Sequence, residues 1–118
     1  MVKLFAFLYR RDGMSHDEFL DHWRDHHGPL IAGTETLARH IVRYEQHPRH
    51  SSSSLSGTEG CDGVTVQWME SLDSFRAFIS EPDYAAVLAP DEQRFLDMSK
   101  VTFVICDEAN VVIGGSGE

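Results

Sequence analysis

Three imidazoles, a guanidinium and an indole crowd into the run His22-Trp23-Arg24-Asp25-His26-His27-Gly28-Pro29-Leu30. Histidine ordinarily titrates near neutrality, so such a run can move protons, hold a metal or serve as packing. His27 falls at helical spacing from Phe19, Leu20 and Trp23, on an apolar stripe. Burial there disfavours imidazolium, and a neutral imidazole can accept a proton from a carbon acid. The competing reading is a core histidine bonded to a backbone carbonyl beside Gly28-Pro29. His22 and His26 have the i,i+4 spacing of helical metal pairs. However, Trp23 stands where the metalloprotease signature has Glu, and Asp21 and Asp25 mark a solvated face, so no metal site is expected. Arg24 either meets a substrate carboxylate or pairs with those acids.

Other polar groups lie on strand-like segments. Tyr44 and Gln46 share one side of theirs, and Thr65 and Gln67 share one side of the next. A few such groups converging in an apolar cavity make a small-molecule site. Tyr9 and Trp68 read as core or as a platform for a ring. Asp91 and Glu92 open a helix, where the helix dipole accounts for both. Cys61 and Cys106 are too few for a disulfide framework and lack metal spacing. Cys106 is expected to be buried and Cys61 exposed beside a Gly-rich loop.

The elements that must position these groups follow from pattern. Residues 2–9 form a strand with both faces apolar. Ser15-His16-Asp17-Glu18 is a capping box, with Met14 and Phe19 at the staple positions. Pro29 breaks or kinks the helix and starts a second piece through about Leu37. Strands are expected over 39–47, 63–70 and 101–106. Ser71 caps a helix carrying Leu72, Phe75, Phe78 and Ile79. A short helical piece spans 84–88, and Pro90 opens another that turns Phe95 and Met98 inward. The Ser/Gly-rich stretch 48–62 reads as a flexible loop. The chain is expected to be one domain over 1–108 with a tail at 109–118.

Strand, helix, two strands, helix, strand is the split βαββαβ, ferredoxin-like arrangement, an α+β fold with a four-stranded antiparallel sheet. Two helices cover one face only, yet the first and last strands are apolar on both. Several hundred Å² of uncovered apolar sheet argues for a homodimer packed sheet to sheet, with a chamber between the sheets. The 118 residues carry 19 acids against 10 bases, a net charge of −9 with no basic stripe. That argues against nucleic acid and anionic membranes as partners. No apolar run approaches the ~20 residues of a membrane helix. Tyr9-Arg10-Arg11-Asp12 stands where a signal peptide would have its cleavage site, so a cytoplasmic location is expected.

The segment from Leu8 through Arg11-Asp12-Gly13-Met14-Ser15, Phe19-Leu20-Asp21-His22-Trp23 and His27-Gly28-Pro29-Leu30 closely resembles the opening of EthD-domain proteins. Trp68-Met69-Glu70-Ser71-Leu72-Asp73-Ser74-Phe75 and Pro90-Asp91-Glu92-Gln93-Arg94-Phe95 are similar to later parts of that family, and the likeness covers about residues 2–108. The resemblance implies a dimeric α+β barrel of two ferredoxin-like subunits. The family is associated with ethyl tert-butyl ether degradation, and related proteins include methylmuconolactone isomerases and enzymes of aromatic polyketide tailoring. These work without metal or organic cofactor. The resemblance points to His27 and His47 as the implicated histidines, although the long Ser-rich loop departs from the family pattern near His47. The expected function is cofactor-free isomerisation, dehydration or cyclisation of a small hydrophobic, aromatic or lactone-like molecule. His27 would be the acid/base, Tyr44 or His47 would assist, and Tyr9, Gln46, Gln67, Trp68 and Arg24 would contact substrate. The alternatives are a non-catalytic accessory protein of ether breakdown and a cofactor-independent monooxygenase.

Overall fold

The computed structural model describes residues 1–51 and 61–115. The first strand, β1, is Val2–Tyr9. The capping box forms as expected: Ser15 Oγ accepts from the Glu18 N–H at 3.0 Å, and the Glu18 carboxylate accepts from the Ser15 N–H at 2.8 Å. It starts α1, His16–His22. A π-helical turn, Trp23–His27, follows and leads into α2, Gly28–Gly33, and α3, Glu35–Ala38. β2 is Arg43–Pro48 and β3 is Cys61–Met69. Ser71 caps α4, Leu72–Ser80, by accepting from the Ser74 N–H. A second π-helical turn, Tyr84–Leu88, runs into α5, Ala89–Phe95, and β4, Thr102–Cys106, closes the fold.

The sheet order is β2-β3-β1-β4, with every neighbouring pair antiparallel. This is the ferredoxin-like α+β topology. Register settles the faces. Leu4 pairs with Gln67 and Ile105, and Gln67 pairs in turn with Tyr44. Ala6 pairs with Thr65, which pairs with Gln46. Directly opposed residues share a face, so this row lies under the helices. One core cluster joins Ala6 and Leu8 to Phe19, Trp23, Phe95 and Leu96; the other joins Met69 to Ile31, Leu37, Phe78 and Leu88. The opposite row carries Phe5, Phe7, Val64, Val66, Trp68 and Val104, and among the described residues no helix covers it.

Two devices hold the helical layer in place. Gly63 lies beneath the Trp23 ring; a Cβ there would come within 2.6 Å of it, so only glycine lets indole and strand meet. Asp62 is fully buried and accepts from the Arg10 N–H and guanidinium, both at 2.8 Å, and from His16 Nδ1 at 2.7 Å. It ties the end of β1 to the start of α1.

Several expectations need correction. Pro29 does open a further helical piece, but the π-helical turn joins that piece to α1, and it ends at Gly33 with α3 following instead of running on to about Leu37. β2 starts at Arg43 rather than residue 39, because α3 and its following turn take the residues before it. Cys61 is buried as the first residue of β3, and Cys106 is half-buried on the edge strand. The expected flexible loop lies mostly at 52–60, outside the described residues, while Pro48 and residues 61–62 belong to strands.

Candidate functional site

Each π-helical turn ends one residue before a residue–proline pair, Gly28-Pro29 or Ala89-Pro90. Proline donates no hydrogen bond and crowds the carbonyl four residues back. One extra residue in the turn relieves both problems: the Gly28 N–H reaches the Trp23 carbonyl and the Ala89 N–H reaches that of Tyr84, five residues back in each case. The Trp23 carbonyl also accepts from Gln46 Nε2 at 2.9 Å. Such insertions recur at functional sites because they re-aim side chains. Here one insertion ends in His27 and the other begins with Tyr84.

His27 Nδ1 donates to Asp91 Oδ2 at 2.7 Å. Asp91 is fully buried at the start of α5. Burial alone would raise its pKa, but the hydrogen bonds from His27 and His22 outweigh burial and hold it below the usual carboxylate value. It is therefore an ionised acceptor. Burial pushes His27 down, against the opposing pull of Asp91, so its neutral form is favoured. With the proton on Nδ1, the Nε2 lone pair is left over. That nitrogen makes no hydrogen bond among the described residues.

His27 lines a cavity of about 200 Å³ between the helices and the sheet. A cavity of ~150 Å³ already holds benzene, so one substituted ring fits. The walls are mostly apolar: Leu4 and Phe103 from the sheet, and Ile31, Phe75, Phe78, Ile79 and Leu88 from the helices. Three other polar side chains reach in: Gln67, Tyr84 and Glu92. Desolvation raises Glu92 to about 7, opposed by a long hydrogen bond from the Tyr84 hydroxyl at 3.4 Å and assisted by neighbouring Asp91. Burial and that carboxylate push the Tyr84 phenol up in turn. Gln67 is 8 % exposed, and its Oε1 is a buried acceptor with no partner among the described residues. A buried acceptor left unfilled is destabilising by ~1–3 kcal/mol, which a ligand donor would recover.

The chamber thus holds a basic lone pair, a carboxyl group raised to about 7, and an acceptor with no donor among the described residues. Of the residues expected from sequence, His27 and Gln67 line it. Tyr44 and Gln46 lie on the same face of the sheet, outside the lining, where Gln46 Nε2 donates to the Tyr44 oxygen at 3.2 Å. The register places these polar groups on the face beneath the helices, not on the uncovered face. His47, Tyr9 and Trp68 belong to the opposite side of the sheet. His47 pairs with Glu45, and Trp68 lies between Lys3 and Arg43. Arg24 is exposed and bonded to Asp21 and Asp25. Tyr84, Asp91 and Glu92 were not expected to take part. A Pro90-Asp91-Glu92 opening is fully explained by the helix dipole, and no spacing reveals which α5 carboxylate meets His27.

The family model for the EthD domain matches residues 11–99. The chain belongs to the EthD family. A curated EthD relative, the conidial pigment biosynthesis dehydratase EthD of Metarhizium robertsii, is 26% identical over 107 residues, covering 82% of this chain and 75% of that protein. Among solved structures, an EthD-family protein of Bacillus halodurans superposes with a TM-score of 0.69 at 18% identity, covering 92% of this chain and 99% of that one. A dimeric ferredoxin-like protein of unknown function from Bacteroides fragilis gives 0.65 at 14% identity, covering 91% and 95%. At this depth of similarity the two structures show the ferredoxin-like fold alone. Among the described residues, no helix is long and apolar enough to cross a membrane.

Proposed function

We propose that this EthD protein binds a small aromatic or lactone-like molecule beneath its helices and moves protons on it without a cofactor, with dehydration the best-fitting reaction. One observation carries the reading. The Asp91–His27 pair leaves a free imidazole nitrogen at a mostly apolar cavity that also contains the Glu92 carboxyl group. A general base and a general acid on the wall of one mostly apolar site are what elimination of water requires.

In this mechanism His27 Nε2 takes a proton from a carbon next to a carbonyl. Asp91 steadies the imidazolium that forms, as a buried carboxylate does for a catalytic histidine. The electron pair of the broken C–H bond becomes the new C=C bond. The hydroxyl on the adjacent carbon leaves with its bonding pair and takes a proton from Glu92, departing as water. Net proton return from His27 to Glu92 resets the site. The dehydratase relative supports this choice among isomerisation, dehydration and cyclisation.

The partly exposed row of Phe5, Phe7, Val64 and Val104 supports a homodimer packed sheet to sheet, which buries that row at ~25 cal/mol per Å² before association costs. The dimeric structural relative agrees with it. The two free thiols fit a reducing, cytoplasmic setting.

The test is a panel of β-hydroxy ketones on one- and two-ring aromatic frames, followed by ultraviolet absorption and by mass spectrometry for loss of water. Turnover should fall by about 10²–10⁴-fold in His27→Gln and Glu92→Gln. Tight binding without turnover would instead make the protein an accessory binder. Oxygen uptake with a phenolic member of the panel would move it to the monooxygenases.

A further inference from the structure

We propose that His22, His26 and Asp91, which lie outside the chamber lining, form a site for one divalent transition-metal ion of the zinc, cobalt or nickel type. The sequence argues against a metal here because Trp23 stands where the signature has Glu and Asp21 and Asp25 mark a solvated face. The structure supplies the third ligand from a residue far along the chain. His22 Nε2 lies 2.9 Å and His26 Nε2 3.1 Å from the same oxygen, Asp91 Oδ1. All three ligand atoms lie within 4.8 Å of one another.

That triangle is close to the size an ion needs. Zinc takes imidazole nitrogen and carboxylate oxygen at ~2.0–2.2 Å, so neighbouring ligand atoms around a tetrahedral ion are ~3.3 Å apart. Small side-chain rotations therefore suffice to seat it. Two borderline nitrogens and one oxygen select zinc, cobalt, nickel or copper over calcium and magnesium, which want an all-oxygen shell. The site also has the layered character of built metal sites. Asp91 is fully buried and its second oxygen is held by His27 Nδ1 at 2.7 Å, which fixes the direction of the first. His22 is partly exposed and His26 about half exposed, so an ion has an entry path and a coordination position left for water. One group opposes binding: Arg94 reaches Asp91 Oδ1 at 3.3 Å. Its side chain is mostly in solvent, and it can swing away when an ion arrives. The ion and His27 would then hold opposite oxygens of one carboxylate.

The experiment uses untagged full-length protein, stripped with EDTA and dialysed. Zinc is titrated calorimetrically, and cobalt is added while the visible ligand-field absorption is followed. We expect one ion per chain. His22→Gln and His26→Gln should each weaken zinc binding by about tenfold or more and abolish the cobalt band, while His47→Gln, on the far side of the sheet, changes neither. Calcium and magnesium at millimolar concentration should not compete. Absence of zinc uptake overturns the proposal, and so does uptake that both His22→Gln and His26→Gln leave intact. These readouts involve no substrate, so they stand or fall independently of the proposed proton chemistry.

Discussion

His27 and Asp91, sixty-four positions apart in the chain, meet at 2.7 Å where the first π-helical turn packs against α5. The carboxylate takes one ring nitrogen and leaves the other to the chamber. Replacing it by Asn keeps the shape but removes the charge that steadies imidazolium. Asp91→Asn should therefore lower kcat by about 10²–10⁴-fold. Because both residues act as one unit, the double variant Asp91→Asn/His27→Gln should be scarcely slower than His27→Gln alone. Steady-state kinetics on the four proteins checks this; multiplicative losses would mean that the pair does not work as a unit.

Glu92 gives the fold a pH dependence whose sign is fixed. Its carboxyl holds its proton up to about 7 in the folded protein, well above its value in an unfolded chain, because the chamber desolvates it. The folded state therefore binds more protons than the unfolded state between about pH 4.5 and 7. The contribution to stability is whole below the unfolded value and is lost as pH rises through about 7. Glu92→Gln cannot ionise, so its melting temperature should gain on the parent across that window and run parallel to it above. Thermal melts from pH 4 to 8, with EDTA present so that no ion sits on neighbouring Asp91, provide the measurement. Parallel curves throughout would show that Glu92 titrates as an ordinary surface acid.

Local rules carried the fold a long way. The Ser15–Glu18 capping box, the apolar alternation of β1 and the Ser71 cap are contacts within a few residues, so their geometry is written in the spacing. His27 was visible for the same reason: Phe19, Trp23 and His27 mark one helical stripe. The π-helical turns were not visible, since proline signals a break and the alternative depends on what the helix packs against. Which strand face carries the chamber was equally hidden. Tyr44, Gln46 and Gln67 fit either side until pairing with Leu4 and Ala6 fixes the register. Asp91 and Glu92 look alike on paper, and only the packing of α5 turns one toward the three imidazoles and the other into the cavity.

Gly63 is the point where β3 passes beneath the Trp23 ring. A Cβ there would lie 2.6 Å from one ring carbon and 2.7 Å from another. Trp23 is 1 % exposed and wedged between Phe19 and Gly63, so the ring has nowhere to go. Gly63→Ala should destabilise the protein by ~1–3 kcal/mol, the range for overpacking a filled core. Urea denaturation with an unchanged m-value would assign the loss to the native state.

Gln67 separates a binding role from a packing role. Its Oε1 is buried without a partner, so the amide burdens the free protein. Gln67→Leu removes that burden at similar volume, and the melting temperature should hold or rise. Affinity for a hydroxylated aromatic ligand should fall by about tenfold, the value of roughly one buried hydrogen bond. A residue that only packed would show the reverse pattern, with lower stability and unchanged affinity.

The uncovered sheet face offers the most direct test of assembly. Phe5 lies at its centre, paired with Val66 on one side and Val104 on the other, and among the described residues no helix covers that face. A carboxylate in a sheet-to-sheet interface would be buried opposite its own symmetry copy, and the two like charges would repel in a dry setting. Phe5→Glu should therefore convert the dimer to a monomer at micromolar concentration, as read by light scattering. The helices cover the other face, so far-ultraviolet circular dichroism should be unchanged. Val104→Glu, at a position already 42% exposed on the edge strand, perturbs the single subunit less and should weaken the dimer in the same direction. A parent protein that scatters as a single subunit, or a Phe5→Glu variant that stays dimeric, would mean that this row of apolar side chains meets solvent rather than a second copy.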